Sequence, residues 1–257
     1  MKFVKSLLFL IGLPAILVTL WWAATANGTN FFVPTPGQLM STFVETWIGP
    51  RFFEDILPSL VRLFIGLGLA IVLGIIVGIV IGSSKRTRML LEPLLEFFRA
   101  VPPPVLVPLL MLIIGINDTM KIVVIVFGSI WPILLNTIEG VRGTDEVMRL
   151  TASSYQINSF NRLRFLVLPA ASPQILTGIR QSLSIGLILM VISEMFASSS
   201  GLGFTIVQFQ RSFAIPEMWS GILVLGLIGL GLSAIFKFAE KRILGWYHGL
   251  REVQRDE

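Results

Sequence analysis

Six apolar stretches, each of about 20 residues or more, set the limits on what this chain can become. They cover roughly 5–24, 58–83, 93–115, 121–139, 173–197 and 219–240. A helix rises about 1.5 Å per residue and a bilayer's hydrocarbon core is about 30 Å thick, so each stretch suffices for one crossing. In lipid such a segment must satisfy its own backbone groups, which favours helix. The chain is therefore expected to be all-α, a polytopic membrane protein with six transmembrane helices in one transmembrane domain over 1–257. Its charge content agrees: 14% of the 257 residues are charged and 54% are hydrophobic, against about 25% charged in soluble domains.

The basic residues orient the spans. With the N-terminus inside, the inner segments carry Lys2, Lys5, Lys85, Arg86, Arg88, Arg142, Arg149, Arg162, Arg164, Lys237, Lys241, Arg242, Arg251 and Arg255. The outer segments carry only Arg51, Lys121 and Arg211. This is the positive-inside asymmetry, with both termini cytoplasmic. It also accounts for the net charge of +5, so nucleic-acid binding is not needed to explain it. Ala24-Thr25-Ala26 after an apolar run resembles a signal-peptidase site, with Asn27 the first residue after cleavage. The run from Leu7 to Ala24 is long enough to span, however, and a retained helix is expected. The chain has no Cys, hence no thiol nucleophile or Cys-ligated metal. The lone His248 lies near a charged C-terminus and reads as solvated.

Several spans carry packing signals. Gly66, Ala70, Gly74, Gly78 and Gly82 recur every fourth residue, on one helix stripe where a neighbouring helix can approach closely. Gly178, Ser182 and Gly186 form a shorter stripe of the same kind. Pro102, Pro103, Pro104 and Pro108 each remove a backbone donor, so a regular helix is not expected through 101–108. Broken backbone at membrane depth must face protein or a water-filled cavity. Trp131-Pro132 predicts a second kink. In the loop 25–57, Leu39, Phe43 and Trp47 share a helical face, which suits either a helix along the outer membrane surface or a packed loop helix. Arg62, Arg99 and Arg180 lie near span ends, where they can snorkel or pair. Glu194 lies deeper. It reads as a pathway or gate residue, or as an interhelical partner for Arg180 or for another subunit.

Between the fourth and fifth spans lies a polar stretch, Glu139 to Pro173. Glu146 to Tyr155 has helical patterning, Asn158-Ser159 reads as a turn and helix start, and Phe160 to Val167 follows as a second short helix. No G-x-x-x-x-G-K-[ST] occurs anywhere. There is also no H-E-x-x-H or other metal-ligand spacing. Ser193, Ser198, Ser199 and Ser200 have no His or Lys at a spacing that would activate them. No enzyme activity is expected of this chain.

The polar stretch resembles the cytoplasmic "EAA" loop of ABC importer permeases. That pattern is Glu-Ala-Ala, two residues, an apolar residue and Gly, followed later by Leu-Pro. Counting back from Leu168-Pro169, Leu150-Thr151-Ala152 takes the Glu-Ala-Ala positions, Tyr155 the apolar one and Gln156 the glycine. The acidic residue and the glycine are thus replaced. Arg99 to Leu110 (RAVPPPVLVPLL), Trp131 to Thr137 (WPILLNT), Ile192 to Phe196 (ISEMF) and Ser200 to Phe204 (SGLGF) resemble the nitrate/sulfonate/taurine branch, in its order. The resemblance covers roughly residues 55–245.

It implies a type I importer architecture in a prokaryotic plasma membrane, the inner membrane if the cell is Gram-negative. The expected assembly is a homodimer of permease chains, two ABC ATPase subunits that hold ATP and Mg, and an extracytoplasmic substrate-binding protein. The loop 140–172 would couple to the ATPase, with Leu150, Thr151, Ala152, Ser153, Ser154, Tyr155 and Gln156 at the contact. Pro104, Met111, Trp131, Met190 and Glu194 would line the translocation path. The cargo would be a small organic or inorganic solute such as a sulfonate or nitrate. The alternative is an ATP-independent channel or secondary transporter, a class that often shows internal repeats; no convincing repeat is visible here.

Overall fold

The computed structural model describes residues 2–26, 31–196 and 198–247, with side chains from Gly12 onward. Asn27, His248, Arg251 and Arg255 lie outside the described residues, as do the side chains of Lys2 and Lys5. The described chain is all-α: α1 (Lys2–Thr25), α2 (Pro36–Trp47), α3 (Leu57–Gly82), α4 (Lys85–Ala100), α5 (Leu106–Ile114), α6 (Asp118–Arg142), α7 (Glu146–Ser154), α8 (Ser159–Arg162), α9 (Leu168–Phe196), α10 (Leu202–Arg211) and α11 (Ile215–Ile243). π-helical turns at Phe52–Ile56 and Leu163–Val167 run directly into α3 and α9.

Among the described residues, four helices are long and apolar enough to cross a membrane: α3 and α9, each with its leading turns, α6 and α11. α4 and α5 meet that test only as a pair, bent by 69° at the break between them. In α1 the apolar stretch with described side chains is Gly12–Thr25. The break between α4 and α5 follows from the prolines. Val101 (ψ 117°) and Pro102 (ψ 120°) each precede a proline and are extended, because a following ring clashes with helical backbone. A short 3-10 turn at Pro103–Val105 then restarts the chain as α5.

Two compact units emerge, 1–58 with 199–227, and 59–198 with 228–257. In the first, α2 begins with a capping box in which Thr35 and Gln38 bond reciprocally. Leu39 and Trp47 are buried, and the Trp47 indole N–H donates to Ser220 Oγ at 2.8 Å. The packed-helix reading of α2 thus describes its Leu39/Trp47 face. Asp55 accepts from the Gly201 amide at the start of α10 (3.2 Å) and from Arg51 (3.3 Å).

The second unit is built on α3, α6 and α9. A Cβ placed on Gly66, Gly74 or Gly78 would lie 2.6–2.9 Å from Ile125, Ile133 or Thr137, and one on Gly82 would lie 2.9 Å from Val141. These partners rise in step with the stripe, so α3 and α6 run parallel, with α6 side chains filling the space that glycine leaves. Gly178 packs on Pro132 and Asn136, and Gly186 on Ser129. Those partners fall as the α9 numbers rise, so α9 is antiparallel to α6. Ser182 Oγ donates to the Ser129 carbonyl across this seam. The parallel pairing fixes what the bent pair must do. From Gly82 back to the start of α6 beside Arg62, the chain has to return along α3 by roughly 30 Å, at about 1.5 Å per residue. α4 and α5 together make that return, with the 69° bend between them.

Candidate functional site

The connection between α6 and α9 carries the first candidate surface. Asp145 caps α7 by accepting from the Met148 amide at 3.0 Å. At the other end the Gln156 amide donates to Ser153 O (2.9 Å) and the Ile157 amide to Ala152 O (3.0 Å). This is a Schellman closure, which requires a left-handed residue after the C-cap. Gln156 is that residue, at φ 52°. The family pattern's glycine position is thus a left-handed position here as well, occupied by a residue that adopts it at a cost of about 1–2 kcal/mol. Part of that cost is offset because glycine loses more entropy on folding. Gln156→Gly is therefore expected to firm the turn by less than about 1 kcal/mol, read as slower hydrogen exchange of the Ile157 amide.

Asn158 caps α8 through the Asn161 amide (2.8 Å). The helix expected at Phe160–Val167 is in the structure four residues of α-helix and a π-turn, continuous with α9. Between α7 and α8 lies a groove of about 560 Å³ walled by Val147, Met148, Tyr155, Ile157, Phe165 and neighbouring residues. Of the seven loop residues singled out from sequence, Thr151, Ala152 and Tyr155 line it, while Leu150, Ser153, Ser154 and Gln156 do not. Ala152 is 7% exposed, whereas Leu150 is 62% and Tyr155 78% exposed. These side chains give the α7–α8 groove an exposed apolar face. α7 is tied back to its neighbour: the Arg149 guanidinium donates to the Val141 carbonyl near the end of α6, as does Thr144 Oγ1 (3.0 Å).

The second candidate is a cavity of about 490 Å³ at the α4–α5 break, walled by α6 and α9. Pro104 and Trp131, both proposed from sequence as path residues, line it together with Pro103 and Gly128. Met111, Met190 and Glu194 do not; Met190 and Glu194 are fully buried elsewhere in the unit. Sequence reasoning missed Arg99, Asn136 and Gln181 as cavity residues. The signal for Gln181 was available, as an amide inside an apolar span. Trp131 is held by Phe98 stacked on it (6.3 Å, 8° between planes) and by Phe127 edge-on (5.7 Å). The Asn136 amide donates to Pro132 O (2.8 Å) and lies 3.5 Å from Gln181 Oε1. Among the described residues Arg99 is the one charged residue in the wall, and it pairs with Glu96 on its own helix.

A third cluster accounts for Glu194. Its carboxylate accepts from Ser59 Oγ (2.7 and 2.9 Å) and from Arg62 Nη1 (2.7 Å). Arg62 Nε donates to Asp118 Oδ1 (2.9 Å), which also takes Lys121 Nζ (3.0 Å). These contacts join two cations, Arg62 and Lys121, to two anions, Glu194 and Asp118. Arg180, one of the partners considered for Glu194 from sequence, instead donates to Glu240 and lies 6.0 Å from the Phe236 ring. Arg62 is the residue that can reach Glu194, because the parallel α3 and α6 bring Arg62 and Asp118 to one end of the unit while α9 arrives there from the other.

Comparison with known proteins places these features in context. Residues 70–244 match a family model described as "Binding-protein-dependent transport system inner membrane component". The chain is 33% identical over 252 residues to the taurine transport system permease protein of Escherichia coli K12, covering 95% of this chain and 90% of that protein. It is 31% identical over 236 residues to a putative aliphatic sulfonates transport permease protein of Bacillus subtilis 168, covering 91% and 86%. A nitrate import permease protein of Synechocystis is 29% identical, covering 87% and 84%. Among solved structures, the MetNI methionine ABC transporter in an inward-facing conformation aligns with a TM-score of 0.58 at 18% identity, over 74% of this chain and 93% of that one. That likeness is one of fold.

Proposed function

Because the chain belongs to the family of binding-protein-dependent transport system inner membrane components, we propose that it is the membrane-spanning subunit of an ATP-driven importer. In this reading it works as a pair of identical chains, each crossing the membrane six times with both termini cytoplasmic. Two ATPase subunits bind at the α7–α8 surface, and a binding protein delivers cargo from the other side. ATP and Mg belong to the ATPase. The names of the relatives suggest a small sulfonate-, taurine- or nitrate-type solute.

The observation that carries the reading is the exposed apolar face of α7 and α8, on the chain's longest segment between two spans after the N-terminal loop. It needs a soluble partner, and this chain has no phosphate-binding loop of its own. The local geometry supports coupling as well. α7 is bonded to the end of α6, and α8 runs through a π-turn into α9. α6 and α9 both wall the cavity at the α4–α5 break. A push on α7 and α8 is thereby delivered to two walls of that cavity, a route to alternating access. The test is co-expression of the tagged chain with the ATPase subunit encoded beside it. The subunit should be retained through purification and the complex should hydrolyse ATP. A tagged chain that is folded yet never retains an ATPase would sink the proposal.

A further inference from the structure

The cavity at the α4–α5 break has a lining that bears on cargo. Among the described residues its wall contains one charged residue, Arg99, and no acidic one. Glu194, the carboxylate that would repel an anion from a path, is fully buried and already bonded to Arg62 and Ser59. Across the wall, Gln181 takes the Asn136 amide on its oxygen, which leaves its NH2 group as a donor. Arg99 bonds Glu96 through one terminal nitrogen, and a guanidinium has five N–H groups in all. The remaining wall is apolar and aromatic: Trp131, Ile185, Ile188 and Pro103. A volume of about 490 Å³ falls within the 300–1,000 Å³ usual for small-molecule sites.

We propose that this cavity is a transit subsite for a small organic anion. Arg99 and Gln181 donate to the oxyanion head, and the Trp131 side of the wall contacts the apolar tail. The inference rests on the importer reading but adds to it: the permease chain itself discriminates charge, in addition to any binding protein. The Glu96 partner weakens Arg99 as an anion trap. That suits transit, where binding must be favourable enough to enter and weak enough to leave. Arg99 also lies in the last turn of α4, just ahead of the break that starts at Val101, so a change in the 69° bend would move the donor relative to Gln181.

Trp131 is a built-in reporter. The permease–ATPase complex, purified without binding protein, is titrated with sodium ethanesulfonate, with sodium nitrate and with the uncharged ethyl methyl sulfone, and tryptophan fluorescence is followed. A saturable change is expected with ethanesulfonate, half-saturation at higher concentration with nitrate, which has no tail, and no change with the sulfone. Trp131→Phe should abolish the signal. Arg99→Gln and Gln181→Leu should each raise the half-saturating concentration about tenfold or more, the loss typical of a hydrogen bond to a charged group. Arg99→Lys should stay within a few-fold of wild type. The subsite is overturned by an unresponsive wild-type complex, by a signal that survives Trp131→Phe, or by an Arg99→Gln titration that matches wild type. ATPase retention in the same preparation separates the two ideas: a complex that holds its ATPase but ignores ethanesulfonate rejects the subsite alone.

Discussion

Glu194→Leu is expected to destabilise the folded chain by about 3 kcal/mol or more, seen as an earlier thermal unfolding transition in detergent and less protein in the membrane. Glu194 is fully buried and Arg62 is 5% exposed. Removing the carboxylate takes from the buried guanidinium its buried acidic partner, while its other ion pair is to Asp118, which is largely exposed. The discriminating variant is the double one. Arg62→Met with Glu194→Leu removes both charges and leaves groups of similar volume, so it should recover a large part of the loss, since a buried pair replaced whole by apolar residues is often close to neutral. A double-mutant cycle gives the coupling directly. Additive single effects would show that the two residues do not act as a pair.

Tyr155→Ala should leave the chain folded and in the membrane but weaken ATPase association by about 30-fold or more, corresponding to roughly 2 kcal/mol or above. Tyr155 is 78% exposed, so truncation opens no cavity in the fold. Its backbone N–H, bonded to Thr151 O, is untouched. Aromatic residues presented on an exposed apolar face are the usual energetic centres of interfaces. The measurement is titration of the ATPase subunit onto permease held in nanodiscs, with Leu150→Ala as a second position on the same helix. An unchanged affinity for both variants would move the contact away from α7.

Features with a local period were legible in the sequence. The fourfold glycine spacing that starts at Gly66 predicted a helix stripe against a close neighbour, and Pro102 to Pro104 predicted a broken crossing, because sterics within a few residues decide both. The helix start at Asn158 was readable for the same reason. What was not legible depends on which helices meet. Arg62 and Glu194 are separated by 132 residues, and nothing local distinguishes Arg62 from Arg180 as the partner. The choice is made by the parallel packing of α3 on α6, which a one-dimensional pattern does not contain. The cavity was half visible: Pro104 and Trp131 stand out as helix-breaking and aromatic residues, while Arg99 and Gln181 become neighbours only once α4, α6 and α9 converge. Gln156 shows the reverse situation. It stands where the pattern has glycine, yet the left-handed turn forms, because the two Schellman hydrogen bonds, to Ser153 O and Ala152 O, outweigh the strain at one residue.

The π-turns at Phe52–Ile56 and Leu163–Val167 carry a further consequence. Each amounts to one extra residue inside an otherwise continuous helix, and one residue is about 100° of rotation about the axis. At Leu163–Val167, α8 ahead of the turn is therefore set at an angular phase that a regular helix of the same length could not give. At Leu163–Val167 this phase decides which way Phe160 and the turn at Gln156 point relative to the face of α9 that walls the cavity. The chain thereby uncouples two requirements that a plain helix would lock together: which face a span shows to its neighbours, and which way its surface segment is aimed.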